Sequence, residues 1–143
     1  MVLGGVRLAH DMGPIAHSDG DALLHAVTDA ILSASGLQDI GQLFPDDDPR
    51  HASQDSSDFL REAVRQSKAK GWQIVNIDCT VILERPKLSP HKAQMIANIA
   101  HTLGIAQTQV NVKGKTHEKV DAVGDGRAVE VHVVALLARS EAP

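Results

Sequence analysis

The sequence predicts a single domain of mixed helices and strands, and three observations carry that prediction. Apolar residues recur at helical spacing in three stretches, and each stretch ends at a glycine: Gly36, Gly71 and Gly104. Runs rich in β-branched residues separate and flank them, the clearest being Trp72 to Leu83. The chain has 143 residues, with no repeat and no linker-like segment, so one hydrophobic core is expected.

The first element expected is a strand over Val2 to Leu8, with Gly4 and Gly5 inside it. A helix follows to about Ser35. Ser18, with Asp21 three residues later, reads as an acidic capping box at its start. Ala22, Leu23, Ala26, Val27, Ala30 and Ile31 make its apolar stripe, while Asp21, His25 and Asp29 stand four apart on one face. His17 lies just before the first turn. Read locally, this is either a capped surface helix or a cluster of imidazole and carboxylate groups at a helix N-terminus, where anions are favoured.

The segment Leu37 to Pro49 carries Pro45, Pro49 and the three successive aspartates Asp46, Asp47 and Asp48, which predict an acidic loop. It is either solvated surface or a flap over a ligand. A second helix is expected from about Ser56 to Lys70, burying Phe59, Leu60, Ala63 and Val64. Trp72 to Leu83 suits a central strand buried on both faces. It empties through Glu84, Arg85, Pro86, Lys87 and Leu88 to Ser89, which with Pro90 is expected to open a third helix. Val110 to Lys113 forms a short strand, and a connection through Gly114, Gly124 and Gly126 leads to a last strand over Ala128 to Leu137. A hairpin between those two strands would account for the glycines. Lys115, Thr116 and Glu118 place a cation, a hydroxyl and a carboxylate together, a set suited to phosphate and metal. The spacing is not that of a P-loop.

Composition narrows the function. Trp72, Phe44 and Phe59 are the aromatic residues and there is no tyrosine, so the core is expected to be aliphatic. A net charge of −4 and the lack of a basic run with interleaved aromatics argue against nucleic acid as a partner. No apolar stretch approaches the ~20 residues of a membrane span, so no membrane partner is expected. One cysteine, Cys79, excludes an internal disulfide and fits a reducing compartment. The expected location is the cytoplasm, or a plastid if the source is a plant or alga.

Four separated segments resemble one family in order and spacing. They are Ala16-His17-Ser18-Asp19-Gly20-Asp21 with His25; Asp39-Ile40-Gly41 with Leu43-Phe44-Pro45-Asp46-Asp47-Asp48-Pro49; Pro86-Lys87; and Asn111-Val112-Lys113 with Thr116 and Glu118-Lys119. The family is 2-C-methyl-D-erythritol 2,4-cyclodiphosphate synthase, of the non-mevalonate isoprenoid pathway. The last motif, Gly-Lys-Thr-His-Glu-Lys-Val-Asp, looks most like the plant-type version, and the resemblance spans Leu3 to Ala138.

The resemblance implies a two-layer α+β fold, a mixed β-sheet backed by helices, assembled as a homotrimer with sites between subunits. It implies a phosphorus–oxygen lyase that cyclises 4-diphosphocytidyl-2-C-methyl-D-erythritol 2-phosphate and releases CMP, using zinc and a magnesium or manganese ion. By motif position, His25 is implied as a zinc ligand and Glu118 as the ligand of the second metal. His17 and Thr116 are implied as the catalytic residues, with Ser18 near the phosphates. Asp39, Ile40, Gly41, Phe44, Pro45, Asp46, Asp47 and Asp48 match the flap over the erythritol part. Leu83, Glu84, Arg85, Pro86, Lys87, Leu88 and Ser89 match the cytosine-reading segment, with Lys87 near the diphosphate, while Lys115 is implied as a phosphate contact and His117 as a substrate-binding residue. Arg127 takes no role. The family's opening strand, bearing Gly-x-Gly-x-Asp-x-His and two further zinc ligands, is not among these residues, so an N-terminally truncated domain is expected. Two further readings stand beside this one: a module that binds cytidine nucleotides without turnover, and a trimeric scaffold without ligand.

Overall fold

The computed structural model describes residues 1–14, 16, 18–45, 47–49 and 54–140. The chain opens on a hairpin rather than one strand. β1 (Val2–Leu3) pairs antiparallel with β2 (Val6–Arg7) through Gly4 and Gly5, whose φ angles are +58° and +69°. Two central residues with positive φ make the tight turn that matches strand twist. A Cβ on Gly4 would also lie 3.0 Å from the Met95 side chain, so the turn is wedged against the core.

α1 (Ala22–Ala34) follows. Its N-cap is Asp21, not Ser18: the Asp21 carboxylate accepts the Leu24 N–H at 2.9 Å and also the N–H groups of Gly4 and Gly5 at 2.9 and 2.7 Å. Asp21 therefore fastens the hairpin to the helix and is fully buried. Burial pushes its carboxyl above the ordinary range, against the lowering effect of those three N–H groups. The loop after α1 contains one short turn, α2 (Ile40–Leu43), capped by Asp39 through Gln42 N at 2.9 Å. α3 (Ser56–Ala69) starts and stops where the sequence predicts, with Phe59, Leu60, Ala63 and Val64 buried.

β3 (Trp72–Ile82) is the central strand of a three-stranded sheet ordered β4-β3-β5. α4 (Lys92–Leu103) begins two residues beyond the expected Pro90 start, with His91 at its cap position. β4 (Val110–Lys115) runs parallel to β3, pairing Ile77 with Val110 through to Ile82 with Lys115. After a single turn, α5 (Asp121–Gly124), the last strand β5 (Glu130–Arg139) pairs antiparallel with β3 on its other side. The expected β4–β5 hairpin does not form, because β3 lies between them. Sequence neighbours are separated by a strand laid down earlier.

The helices pack on one face of this sheet, giving a two-layer α+β domain. Leu23, Val27, Ile31, Leu32, Leu60, Met95, Ile99 and Leu103 meet Ile77, Cys79, Val81 and Val112, all at most 1% exposed. The core is aliphatic, as the scarcity of aromatics requires, and burial lifts the Cys79 thiol to about 12, leaving it inert. On the opposite face Asp78 pairs across the strands with Val134 and Asn111, and Thr80 with His132 and Lys113. Val134 and Leu136 are 69% and 55% exposed there. No described helix is long and apolar enough to cross a membrane.

Candidate active site

Two groups of the predicted residues emerge on separate parts of the domain. The first is built on the start of α1 and α3. His25 Nε2 lies 2.8 Å from Ser56 Oγ and 3.3 Å from Ser18 Oγ. Ser56 Oγ also donates to the Asp19 carboxylate, which takes the Ser56 N–H at 3.1 Å as well. Ser56 is fully buried. The chain Asp19–Ser56–His25 thus ties the loop before α1, and α1 itself through His25, to the first residue of α3. Ser56 carries no sequence signal beyond a helix start, so reading by spacing misses it.

The flap residues lie next to this group. Asp29 accepts the Ile40 N–H at 2.8 Å, which explains the third member of the Asp21–His25–Asp29 row. Each of the three serves a different partner, so the row is not a single ligand cluster. The Phe44 ring packs 4.7 Å from Phe59, which stands 6.1 Å from the His25 ring. Phe44 therefore holds the flap over the His25 end of α3. Gly41, Pro45 and Asp47 are exposed. His17 and Asp46 lie outside the described residues.

The second group grows from parallel pairing. Because β3 and β4 run in the same direction, both leave the sheet at one edge. Leu83 N bonds Lys115 O at 2.9 Å, immediately beyond the Ile82–Lys115 pair. From there one strand releases Leu83 to Ser89 and the other Thr116 to Glu118. Leu88 is buried and folds back within 3.6 Å of where a Gly114 Cβ would stand. Arg85, Lys87 and Ser89 are exposed, and the Arg85–Pro86 bond is cis. Glu84 Oε2 is buried without a hydrogen-bond partner among the described residues, an orphaned acceptor within this loop. Thr116 Oγ1 donates to Glu118 Oε1 at 3.1 Å, with both side chains and Lys115 open to solvent. The His117 ring turns the other way, to Asp121 at 2.8 Å. His10 and Arg127, which take no role by motif, line a cavity of about 370 Å³ together with Leu83.

His25, Ser18, Asp19 and Ser56 make no hydrogen bond to the second group among the described residues. One chain presents two separate groups, one with hydroxyls and an imidazole and the other with cations, a hydroxyl and a carboxylate. The described residues hold no group of three or more His, Cys, Asp or Glu side chains able to grip a metal, so they do not make a closed zinc centre. Glu118 is different. A single exposed carboxylate beside phosphate donors suits magnesium, which takes one or two protein oxygens and fills its shell from phosphate and water.

Comparison with known proteins agrees along the whole chain. The YgbB family profile matches residues 1–138. A rice protein, 2-C-methyl-D-erythritol 2,4-cyclodiphosphate synthase, chloroplastic, is 51% identical over 139 residues, covering 97% of this chain and 63% of its own length. The synthase of Azoarcus sp. (strain BH72) is 50% identical over 141 residues, covering 99% of this chain and 87% of its own. The Plasmodium falciparum IspF–CDP complex superposes with a TM-score of 0.87 at 38% identity, over 99% of this chain and 85% of that one. The chain spans about six tenths of the length of the plant relatives it matches.

Proposed function

The chain belongs to the YgbB family, and from that membership we propose that it is a 2-C-methyl-D-erythritol 2,4-cyclodiphosphate synthase. The observation that carries the reading is the parallel Ile82–Lys115 pair, which releases the Leu83–Ser89 loop and the Thr116–Glu118 loop at one edge. In the proposed reaction, an oxygen of the substrate's 2-phosphate bonds to the β-phosphorus. The bond from that phosphorus to the oxygen bridging the α-phosphate breaks, and CMP departs with that oxygen and its electron pair. No protein nucleophile is required.

The obstacle is charge. Two anionic phosphoryl groups must approach in line while a flexible chain is held folded. Lys87 and Lys115 offset charge on the diphosphate, and the Thr116 hydroxyl donates to a phosphoryl oxygen. The Leu83–Ser89 loop receives the cytosine, where the orphaned Glu84 Oε2 is an acceptor suited to an amino group. Glu118 would hold a magnesium or manganese ion, which when bound neutralises adjacent phosphate oxygens. Flap residues Asp39 to Asp48 cover the erythritol part, and Ser18, with His17 in the motif, faces its phosphate. His25 belongs to the metal motif; with no group of three or more His, Cys, Asp or Glu around it among the described residues, no step is assigned to zinc.

The half-sites of one chain are completed by a second copy. The exposed Val134–Leu136 sheet face supports self-association, and we place the homotrimer of the family there. Calorimetry tests the reading. CDP should bind with magnesium, more weakly in Lys87→Ala. Glu118→Gln should weaken magnesium-dependent CDP binding about tenfold and leave CMP within about twofold, since CMP lacks the bridged phosphates. Failure of the wild-type chain to bind either nucleotide at millimolar concentration overturns it. Binding without CMP release from substrate would make the chain a nucleotide-binding module instead.

A further inference from the structure

We propose that Asp121 is the positioning residue of the Thr116–Glu118 loop, clamping a left-handed stretch of backbone so that Thr116 and Glu118 face the diphosphate. The inference rests on the functional reading above and gives a role to a motif residue to which the resemblance assigns none.

The loop is held in an unfavourable conformation. Glu118, Lys119 and Asp121 have φ angles of +51°, +64° and +63°, and none is glycine. L-residues adopt this region at a cost, and three within four positions persist only when surrounding contacts determine them. Asp121 supplies those contacts on both sides of the turn. Its Oδ2 receives His117 Nδ1 at 2.8 Å from the incoming arm, while Oδ1 accepts the Val123 and Gly124 N–H groups at 2.8 and 3.2 Å from the outgoing arm. Aspartate is suited to the task because its carboxylate can bond local backbone while its own φ is positive.

The backbone closes the same ring. Val120 N bonds His117 O at 2.9 Å and Gly124 N bonds Val120 O at 3.0 Å. A Cβ on Gly124 would sit 2.5 Å from the Lys119 carbonyl carbon, so the two arms touch. Thr116 and Glu118 lie on the open side of this ring, hydrogen-bonded to each other and solvent-exposed. His117, implied by motif as a substrate contact, spends its ring on Asp121 and acts through it.

The test compares CDP and CMP binding in the full chain for Asp121→Ala, Asp121→Asn and Asp121→Gly, with hydrogen exchange at Glu118, Lys119 and Val120. Asp121→Ala should weaken magnesium-dependent CDP binding about tenfold and CMP binding less than about twofold. Asp121→Asn, which keeps an acceptor and tolerates positive φ, should recover most of the loss. Asp121→Gly removes the conformational cost without the carboxylate, and should stay weak. Exchange at the three amides should quicken in the alanine and glycine variants. Unchanged CDP affinity in Asp121→Ala, or equal losses for CDP and CMP, overturns the proposal. If the wild-type chain binds no CDP, the functional reading fails, and unchanged amide exchange in Asp121→Ala overturns the clamp independently.

Discussion

Ser56 Oγ stands between His25 Nε2, 2.8 Å away, and the Asp19 carboxylate, and it has one proton to give. A carboxylate only accepts, so the hydroxyl proton goes to Asp19 and His25 must donate from Nε2. In the neutral ring this selects the Nε2–H tautomer, whose Nδ1 lone pair is the acceptor. Outer partners of this kind set the orientation of ligating histidines.

Ser56→Ala should therefore release the tautomer. The ¹⁵N shifts of His25 are expected to move from an Nε2–H pattern to a mixture. Stability should fall by about 1–3 kcal/mol, because a buried acceptor and donor lose their shared partner. Unchanged ¹⁵N shifts would show that Ser56 does not choose the tautomer.

Asp21→Asn should destabilise by about 1–3 kcal/mol, since the amide NH₂ cannot accept an N–H that the carboxylate took. Its pH dependence has a defined sign. The folded carboxyl is raised above 3.8, so the stability it contributes is full below that value and is lost as pH rises through the folded pKa. Denaturant melts should show the gap between wild type and Asp21→Asn narrowing from acid towards neutral pH.

Glu62 runs the opposite way. Hydrogen bonds from Arg65 and Gln66 hold its carboxyl down at about 2, against 4.5 unperturbed. Its contribution is present above 4.5 and lost as pH falls towards 2. The gap between wild type and Glu62→Gln should close on acidification. It is small throughout, because exposed ion pairs contribute little. A gap that widens in acid contradicts the assignment.

Val134→Glu and Leu136→Glu place charges on the open sheet face without touching the core. If that face joins copies of the chain, both variants should sediment as monomers where wild type sediments as a trimer, with CDP affinity falling as the half-sites separate. A monomeric wild type that binds CDP fully would remove the interface from the mechanism.

Gly124→Ala forces a methyl into the Lys119 backbone, so the ring must open. A loss of about 1–3 kcal/mol is expected from overpacking, together with weaker CDP binding. Crystallographic or exchange data showing an unmoved loop would contradict the close approach.

Local chemistry wrote much of the fold into the sequence. α3 and β3 were legible because Phe59, Leu60, Ala63 and Val64 keep helical period and Ile74 to Leu83 keep β-branched bulk, and Gly36, Gly71 and Gly104 mark helix ends at positive φ. The partners of polar residues were not legible. Ser18 has the form of a helix cap, but its hydroxyl belongs to His25, and the cap is Asp21, whose carboxylate also answers to a hairpin 16 and 17 residues away. β4 and β5 look like a hairpin because glycines join them, and only the prior claim of β3 on both separates them. Asp121 closes the Gly-Lys-Thr-His-Glu-Lys-Val-Asp motif, but nothing in the sequence says that its carboxylate bridges both arms of the loop. His25, Thr116 and Glu118 stood out locally as part of an imidazole–carboxylate row and a cation–hydroxyl–carboxylate set, the motif resemblance alone implied roles for them, and what orients them came from the fold.

The parallel pairing of β3 and β4 gives the core a say in chemistry it never touches. Val110 and Val112 point into the hydrophobic layer, while Asn111 and Lys113 reach Asp78 on the outer face. Sliding β4 by one residue would exchange those faces, sinking an ammonium and an amide among the helices and lifting two valines into water. It would also carry Thr116 about 3.3 Å along the sheet edge relative to Leu83, further than any hydrogen bond to a phosphate can stretch. Two buried methyl-rich side chains thus proofread the placement of a hydroxyl beyond the end of their strand.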